Sequence, residues 1–236
     1  MSWFTKSFSS SIGKKLIMAF TGLFLCSFLV IHLIGNLQLL KNDGGEAFNS
    51  YAKFMTGNPL IKTISYLLYA SILGHAFYGL NLAFNNKKAR PVEYYTTDNQ
   101  STWASRNMAV LGTILLTFIA VHMADFWWKY HNGANYPYKS YASEFGSAVV
   151  LKDLYSMVMF AFKVEWIVAF YVISMIAMAY HLTHGFQSGF QTLGLSHKKY
   201  TPLVKSIGFI FSIVVPAAFA LIPIWVYFGL GNVFFN

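Results

Sequence analysis

The sequence has little charge and a single cysteine. Charged residues make up 11% of its 236 residues, less than half the share of about 25% that is usual in soluble domains. Cys26 has no partner with which to form a disulfide inside the chain, and no CxxCH segment for covalent haem attachment is present. The sequence is therefore not that of an ordinary soluble domain or of a disulfide-stabilised one.

Long stretches of the chain contain no acidic or basic residue. They cover residues 16–40, 63–86, 166–197 and 206–236, whereas a membrane span needs only about 20 apolar residues. A fifth stretch, 107–124, is followed by Asp125 and by Trp127 and Trp128, an aromatic end typical of a membrane interface. These runs predict an all-α integral membrane bundle of five transmembrane helices, forming a single membrane domain over residues 1–236. The predicted helices cover about 16–39, 60–84, 106–128, 163–190 and 203–228.

Two connections between these helices carry further signals. Residues 41–59 are predicted to be a loop with a turn at Asp43, Gly44 and Gly45. The longest connection, residues 129–162, ends in the apolar segment Leu151–Phe162. This segment predicts either an interfacial helix or an outward extension of the fourth helix.

Acidic residues are nearly missing from one side of the predicted membrane. With the N-terminus inside and the C-terminus outside, the inner segments hold ten Lys and Arg residues and two acids, and the outer segments hold seven and six. Lys and Arg inside are what the positive-inside rule favours. The net charge of +9 therefore indicates a basic inner surface. We expect this surface to meet an acidic partner or anionic lipid and not a nucleic acid.

Histidines inside the predicted helices are the main functional candidates, because ionisable residues in a membrane are rare and mark functional sites. The first three helices carry one each, His32, His75 and His122, and the fourth carries His181 and His184. At about 1.5 Å per residue, His32 and His122 lie about 24 Å from the inner boundary, and His75 and His181 lie about 24 Å from the outer boundary.

Two levels with two imidazoles each match the needs of two b-type haems. The porphyrin itself fills the remaining coordination positions of the iron, whereas a bare metal ion needs three or four protein ligands at one level. The alternative interpretation is that these histidines form only interhelical hydrogen bonds.

Glycines accompany the histidines at regular spacings and could leave room for a porphyrin. Two of them precede a histidine by ten residues and two follow one by four: Gly22, Gly112, Gly79 and Gly185. Small residues at such positions are also typical of ordinary helix packing. His181 and His184 compete for one ligand position. Depth favours His181, which leaves His184 for a hydrogen bond to a haem propionate or to the backbone.

Five helices with one histidine on each of the first four resemble the di-haem cytochrome b subunit of succinate:menaquinone oxidoreductases and fumarate reductases. The segment HLIGN, His32–Asn36, is similar to the ligand segment of that family's first helix. HLTHGF, His181–Phe186, resembles its fourth-helix motif, in which Gly follows the ligand by four residues. The continuation QSGFQTLG, residues 187–194, resembles the branch often labelled cytochrome b558.

This resemblance, which covers about residues 10–230, implies a membrane anchor and electron-transfer subunit in a bacterial inner membrane. A flavoprotein subunit, which performs the dicarboxylate chemistry of the tricarboxylic acid cycle, and an iron–sulfur subunit would dock on the inner face. Two haem b would be bound, the inner one by His75 and His181 and the outer one by His32 and His122, with menaquinone as the quinone. The direction, succinate oxidation or fumarate reduction, is left open.

The family also implies expectations for protons and for the quinone. Some members have a Glu two residues before the fourth ligand, where this chain has Ala179, so a proton path through that carboxylate is not expected. The quinone is expected near the outer haem, with five candidates at the outer ends of the first and third helices: Asn36, Gln38, Lys41, Glu46 and Asp125. The Asp125 carboxylate could accept quinol protons, or it could simply be an interfacial acid that extends to water.

Other classes of protein fit part of the pattern. A cytochrome b subunit of a hydrogenase or formate dehydrogenase would carry similar haems and a different partner. A His-relay transporter would carry no haem and would be expected to show an inverted repeat, which the sequence lacks. A purely structural anchor would use its histidines for packing alone.

Overall fold

The computed structural model describes residues 10–89, 101–133, 136–142 and 148–230. Several charges that enter the balance across the membrane lie outside the described residues: Lys6, Arg90, Glu93, Asp98 and Glu144.

Five helical segments are long and apolar enough to cross a membrane, so the prediction of five such helices is confirmed. In chain order the helices are α1 (Ser11–Leu37), α2 (Glu46–Gly57), α3 (Pro59–Lys88), α4 (Trp103–Arg106), α5 (Met108–His122), α6 (Lys129–Asn132), α7 (Leu154–Ala161), α8 (Glu165–Thr192) and α9 (Thr201–Phe228). A 3-10 turn, Gln38–Leu40, follows α1, and a π-helical segment, Met123–Trp128, joins α5 to α6. The ends of the predicted spans differ from the observed ones by at most five residues.

Local chemistry explains where the long helices begin and end. The Asn58 side chain accepts hydrogen bonds from the backbone N–H groups of Leu60 and Ile61 at 3.0 and 3.3 Å, and Pro59 occupies the first turn of α3. Lys87 and Lys88 lie in the last turn of the same helix, where positive charge favours the helix dipole. The helix α9 continues through two internal prolines, as transmembrane helices can when neighbouring groups satisfy the freed backbone.

A short β-hairpin makes the all-α prediction incomplete. The strands β1 (Tyr138–Tyr141) and β2 (Val149–Lys152) pair antiparallel, with Tyr138 opposite Lys152 and Tyr141 opposite Val149. The apolar segment 151–162 is the end of β2 followed by the separate helix α7, so of the two alternatives the extension of the fourth helix is wrong. Asp153 begins α7 by accepting a hydrogen bond from the backbone N–H of Ser156 at 3.1 Å, and a turn at residues 162–164 separates α7 from α8.

The predicted loop over residues 41–59 contains a helix, α2, and this part of the prediction is also wrong. The turn signal itself is present, since Gly44 and Gly45 both have positive φ. The Asp43 carboxylate accepts hydrogen bonds from the backbone N–H groups of Gly45 and Ala47 at 2.9 and 3.0 Å. The turn therefore starts α2 instead of lying in an irregular loop.

Contacts divide the chain into two compact units. The first unit consists of Met1–Leu29, Tyr66–Leu116 and Ala177–Val214, and the second consists of Val30–Ser65, Thr117–Ile176 and Val215–Asn236. Each of the five candidate spans contributes residues to both units. Cys26 is buried in the first unit.

Candidate cofactor sites

The first unit contains a pair of histidines from two different helices. His75 on α3 and His181 on α8 have ring centroids 6.2 Å apart and ring planes inclined by 64°. Both residues are partly exposed. The positions of His75 and His181 along their helices predicted that the two imidazoles lie at one level. In the structure the two rings are neighbours.

Three further residues adjoin this pair. The hydroxyl Oγ1 of Thr21, on α1, lies 3.1 Å from Nδ1 of His75. A Cβ atom at Gly22 would lie 3.2 Å from Cε1 of His75, and one at Gly112 would lie 3.9 Å from Cε1 of His181. A side chain at Gly22 would require the His75 ring to shift by a few tenths of an ångström or more, so this glycine favours the close approach of α1 to α3.

The Nδ1 atom of His181 is buried and has no hydrogen-bond partner among the described residues. Buried polar atoms are nearly always paired, and an unpaired one costs about 1–3 kcal/mol.

The second unit contains the second pair. His32 on α1 and His122 at the end of α5 have ring centroids 5.7 Å apart, with ring planes inclined by 87°. Nδ1 of His122 lies 3.1 Å from the hydroxyl of Tyr171, a buried residue of α8. The ring of Phe118 stacks on His122 with centroids 5.7 Å apart, and the ring of Phe219 lies 5.6 Å from that of His32.

The helix changes its winding directly after His122. Residues Met123–Trp128 form a π-helical segment, a rare geometry that appears mostly in single turns at functional sites. It places the ring of Phe126 at 5.5 Å from that of His122 and 6.2 Å from that of Phe162.

The remaining predicted cofactor residues lie on the same helices with fewer contacts. A Cβ at Gly79 would lie 3.3 Å from the terminal methyl of Met18, whereas one at Gly185 would meet nothing within 4 Å. His184 is partly exposed on α8, three residues after His181. No hydrogen bond from its ring to the backbone is present among the described residues, and its expected bond to a haem propionate stays a prediction.

The five quinone candidates all belong to the second unit, and the structure joins no two of their side chains by a hydrogen bond or ion pair among the described residues. Gln38 donates a hydrogen bond to the backbone oxygen of Ile34 at 3.1 Å. Asp125 forms an ion pair with Lys129 at 3.0 Å. Lys41 and Glu46 are exposed, and Asn36 is partly exposed.

The ligand chemistry of the two histidine pairs fits a haem better than a bare ion. Metal–imidazole bonds are about 2 Å long, so two rings on opposite sides of one metal have ring centres roughly 6 Å apart. Both observed pairs are close to this spacing. Within the described part of the chain, no group of three or more His, Cys, Asp or Glu side chains could hold a metal ion by itself.

Sequence reasoning missed Thr21 and Tyr171, although a signal for the tyrosine was present. Gly22 and Gly112 were found because they precede a histidine by ten residues. Tyr171 precedes His181 by the same ten residues, about 15 Å along a helix. The same spacing of ten residues, counted back from His181 on the fourth helix, would have predicted a polar side chain at the level of His32 and His122.

Comparison with known proteins found no matching family model, no matching curated protein and no matching solved structure.

Proposed function

We propose that this chain is the membrane anchor and electron-transfer subunit of a succinate dehydrogenase or fumarate reductase in a bacterial inner membrane. It binds two haem b and links the iron–sulfur subunit to a membrane quinone, menaquinone. The observation that carries the proposal is the presence of two histidine pairs, one within each unit, with ring centroids 6.2 and 5.7 Å apart. The resemblance of the ligand segments to the di-haem cytochrome b family supplies the reaction.

The residues of this chain hold, orient and enclose the cofactors. His75 and His181 would hold the haem at one site, and His32 and His122 would hold it at the other. Gly22 keeps α1 close to the first pair without displacing a ring, and Phe118 packs against the second. When bound, each haem supplies one-electron transfer between the iron–sulfur centres and the quinone.

The charge of the first unit supports an acidic or anionic partner. Its described residues contain no Asp or Glu and eight basic side chains: Lys14, Lys15, Lys87, Lys88, Arg106, Lys198, Lys199 and Lys205. A surface of one sign attracts a partner of the opposite sign. In this proposal the iron–sulfur and flavoprotein subunits dock there, and the lipid bilayer surrounds the five long helices.

The decisive experiment is a reduced-minus-oxidised spectrum of the purified chain with pyridine haemochrome quantification per polypeptide. We expect two haems b in the unaltered protein. His32→Ala or His122→Ala should remove one haem, and His75→Ala or His181→Ala the other, with distinct spectra for the two groups of variants.

The matched controls are two exposed histidines, His131 in α6 and His197 between α8 and α9. Their replacement by alanine should leave both haems in place. A well-folded protein without haem would refute the proposal. Loss of both haems from each of the four histidine variants would refute the assignment of two histidines to each haem. Co-purification identifies the partner enzyme. A flavin subunit would indicate succinate dehydrogenase or fumarate reductase, whereas a hydrogenase or formate dehydrogenase subunit would indicate one of those enzymes.

A further inference from the structure

We propose that Thr21 and Tyr171 are positioning residues that fix the tautomers of His75 and His122. Each hydroxyl oxygen accepts a hydrogen bond from Nδ1 of its histidine, which leaves Nε2 without a proton and able to bind iron. This inference rests on the proposed function, because it assigns a role at the same two cofactor sites.

The hydrogen bonds of Thr21 determine which partner donates. Its hydroxyl lies 2.6 Å from the backbone oxygen of Ile17 and 3.3 Å from that of Met18. A hydroxyl has one hydrogen to donate, and a carbonyl oxygen can only accept, so this hydrogen goes to the helix backbone. The Thr21 oxygen can therefore only accept from Nδ1 of His75, at 3.1 Å.

The tautomer of His75 follows from this direction. A neutral imidazole carries one N–H and one unprotonated nitrogen. With the proton on Nδ1, the free lone pair is on Nε2, which is the form that binds a metal. Thr21, together with the backbone of Met18, which also hydrogen-bonds His75, thus selects the ligating form of His75 before any cofactor arrives.

At the second site the aromatic packing of Tyr171 fixes the position of its hydroxyl beside Nδ1 of His122. Tyr171 is 6% exposed, and its ring meets those of Phe118 and Phe162 edge-on at centroid distances of 4.9 and 5.1 Å. Since the ring is held on two sides, its hydroxyl stays 3.1 Å from Nδ1 of His122. When Nε2 of His122 binds iron, Nδ1 carries the proton and donates it to this oxygen.

Each hydroxyl should affect the electronic properties of one site only, because Thr21 belongs to the first unit and Tyr171 to the second. At the first site the Nδ1 of His181 has no partner among the described residues, so Thr21 is the side-chain hydroxyl that orients a ligand there. A hydrogen-bond acceptor at Nδ1 raises the basicity of the ligand, and loss of such a partner lowers metal affinity about 10–100-fold. A less basic ligand stabilises oxidised iron less, so the midpoint potential rises.

The test is a spectroelectrochemical titration of the full chain, purified with its haems, for Thr21→Val and Tyr171→Phe. We expect Thr21→Val to raise the midpoint potential of the haem that His75→Ala removes, and Tyr171→Phe to raise that of the haem that His122→Ala removes. Thr21→Ser retains the hydroxyl and should restore the original potential. Where a variant purifies with less haem, titration with added haemin should show an affinity about 10–100-fold weaker at that one site.

The controls keep the chemistry of the substitutions and change their location. Thr63 makes the same hydroxyl-to-backbone bond within a helix, to Pro59 at 3.0 Å, and Tyr66 is 62% exposed. Thr63→Val and Tyr66→Phe should leave both potentials unchanged.

Several outcomes overturn the inference. They are unchanged potentials and affinities in Thr21→Val and Tyr171→Phe, shifts of equal size in the controls, or failure of Thr21→Ser to restore the potential of its site. If these occur in protein that holds two haems, the positioning role alone is refuted. Wild-type protein that binds no haem refutes both this inference and the proposed function.

Discussion

Replacing Asn49 by alanine is expected to destabilise the second unit by about 4 kcal/mol. Asn49 is 1% exposed and makes three hydrogen bonds. Its Nδ2 donates to the hydroxyl of Tyr141 at 2.8 Å and to the carboxylate of Asp153 at 3.1 Å, and its Oδ1 accepts from the backbone N–H of Tyr155 at 2.9 Å. Neutral hydrogen bonds contribute about 1 kcal/mol each and one to a carboxylate about 2 kcal/mol, which gives the stated sum.

Hydrogen exchange measures this effect where it occurs. Asn49 connects α2 to the hairpin through Tyr141 and to the start of α7 through Asp153 and Tyr155. Amides of β1, β2 and α7 should therefore exchange together, through one local opening. A loss of about 4 kcal/mol corresponds to exchange about 1000-fold faster at these amides.

The matched control is Asn132→Ala, since Asn132 is exposed and donates only a 3.3 Å bond to the backbone of Trp128. Its effect should stay within about 0.5 kcal/mol. If Asn49→Ala protein exchanges at these amides no faster than the control, the polar network does not hold the hairpin on α2, and the energetic reasoning is wrong.

Three further predictions concern single residues. Gly22→Val should displace the His75 ring and remove one haem, as counted by pyridine haemochrome, while Gly74→Val, whose Cβ meets nothing within 4 Å, should retain both. Burial alone would raise the pKa of Asp153, but hydrogen bonds and a nearby lysine lower it below its usual value. Its carboxylate therefore stabilises the fold above about pH 4, and this contribution is lost as the pH falls through the lowered pKa. Asp153→Asn should therefore flatten the pH dependence of the thermal unfolding temperature below about pH 4. Asp125→Asn should leave haem content and stability unchanged, because its ion pair with Lys129 is exposed and contributes less than about 1 kcal/mol. A fall in quinone-linked turnover would assign proton acceptance to the Asp125 carboxylate. Unchanged turnover would make it an interfacial acid without a role in the reaction.

Hydropathy predicted the five long helices because the energy of a membrane span depends on a sum over many residues. Two elements outside the spans, α2 and the β-hairpin, were missed because each depends on a few specific contacts. The helix α2 contains polar residues such as Glu46 and Asn49, and for this reason its sequence predicts a loop. Its existence depends on the Asp43 carboxylate at its start and on a hydrogen-bond network to residues about 100 positions away. The β-hairpin consists of two four-residue strands, too short for alternation to be recognised.

The candidate sites were predictable in their ligands and not in their supporting residues. Intramembrane histidines are rare, so His32, His75, His122 and His181 stand out by type and depth. Thr21 does not, because a threonine in a helix usually bonds its own backbone, and Thr21 does this as well. Its contact with a histidine depends on how α1 packs against α3, which one sequence does not encode in any local pattern.

Three local departures from regular helix chemistry adjoin the two histidine pairs. Gly22 lies in the interior of α1, where glycine costs about 0.5–1 kcal/mol relative to alanine. The buried Nδ1 of His181 has no partner among the described residues, and the π-helical segment begins directly after His122. The nearness of the His75 ring explains Gly22, whereas a bundle that used its histidines only for packing would gain from a paired nitrogen and a regular helix at the other two positions. Such departures concentrate where a structure serves a function, and their position beside both pairs favours bound cofactors over packing as the reason for the four histidines.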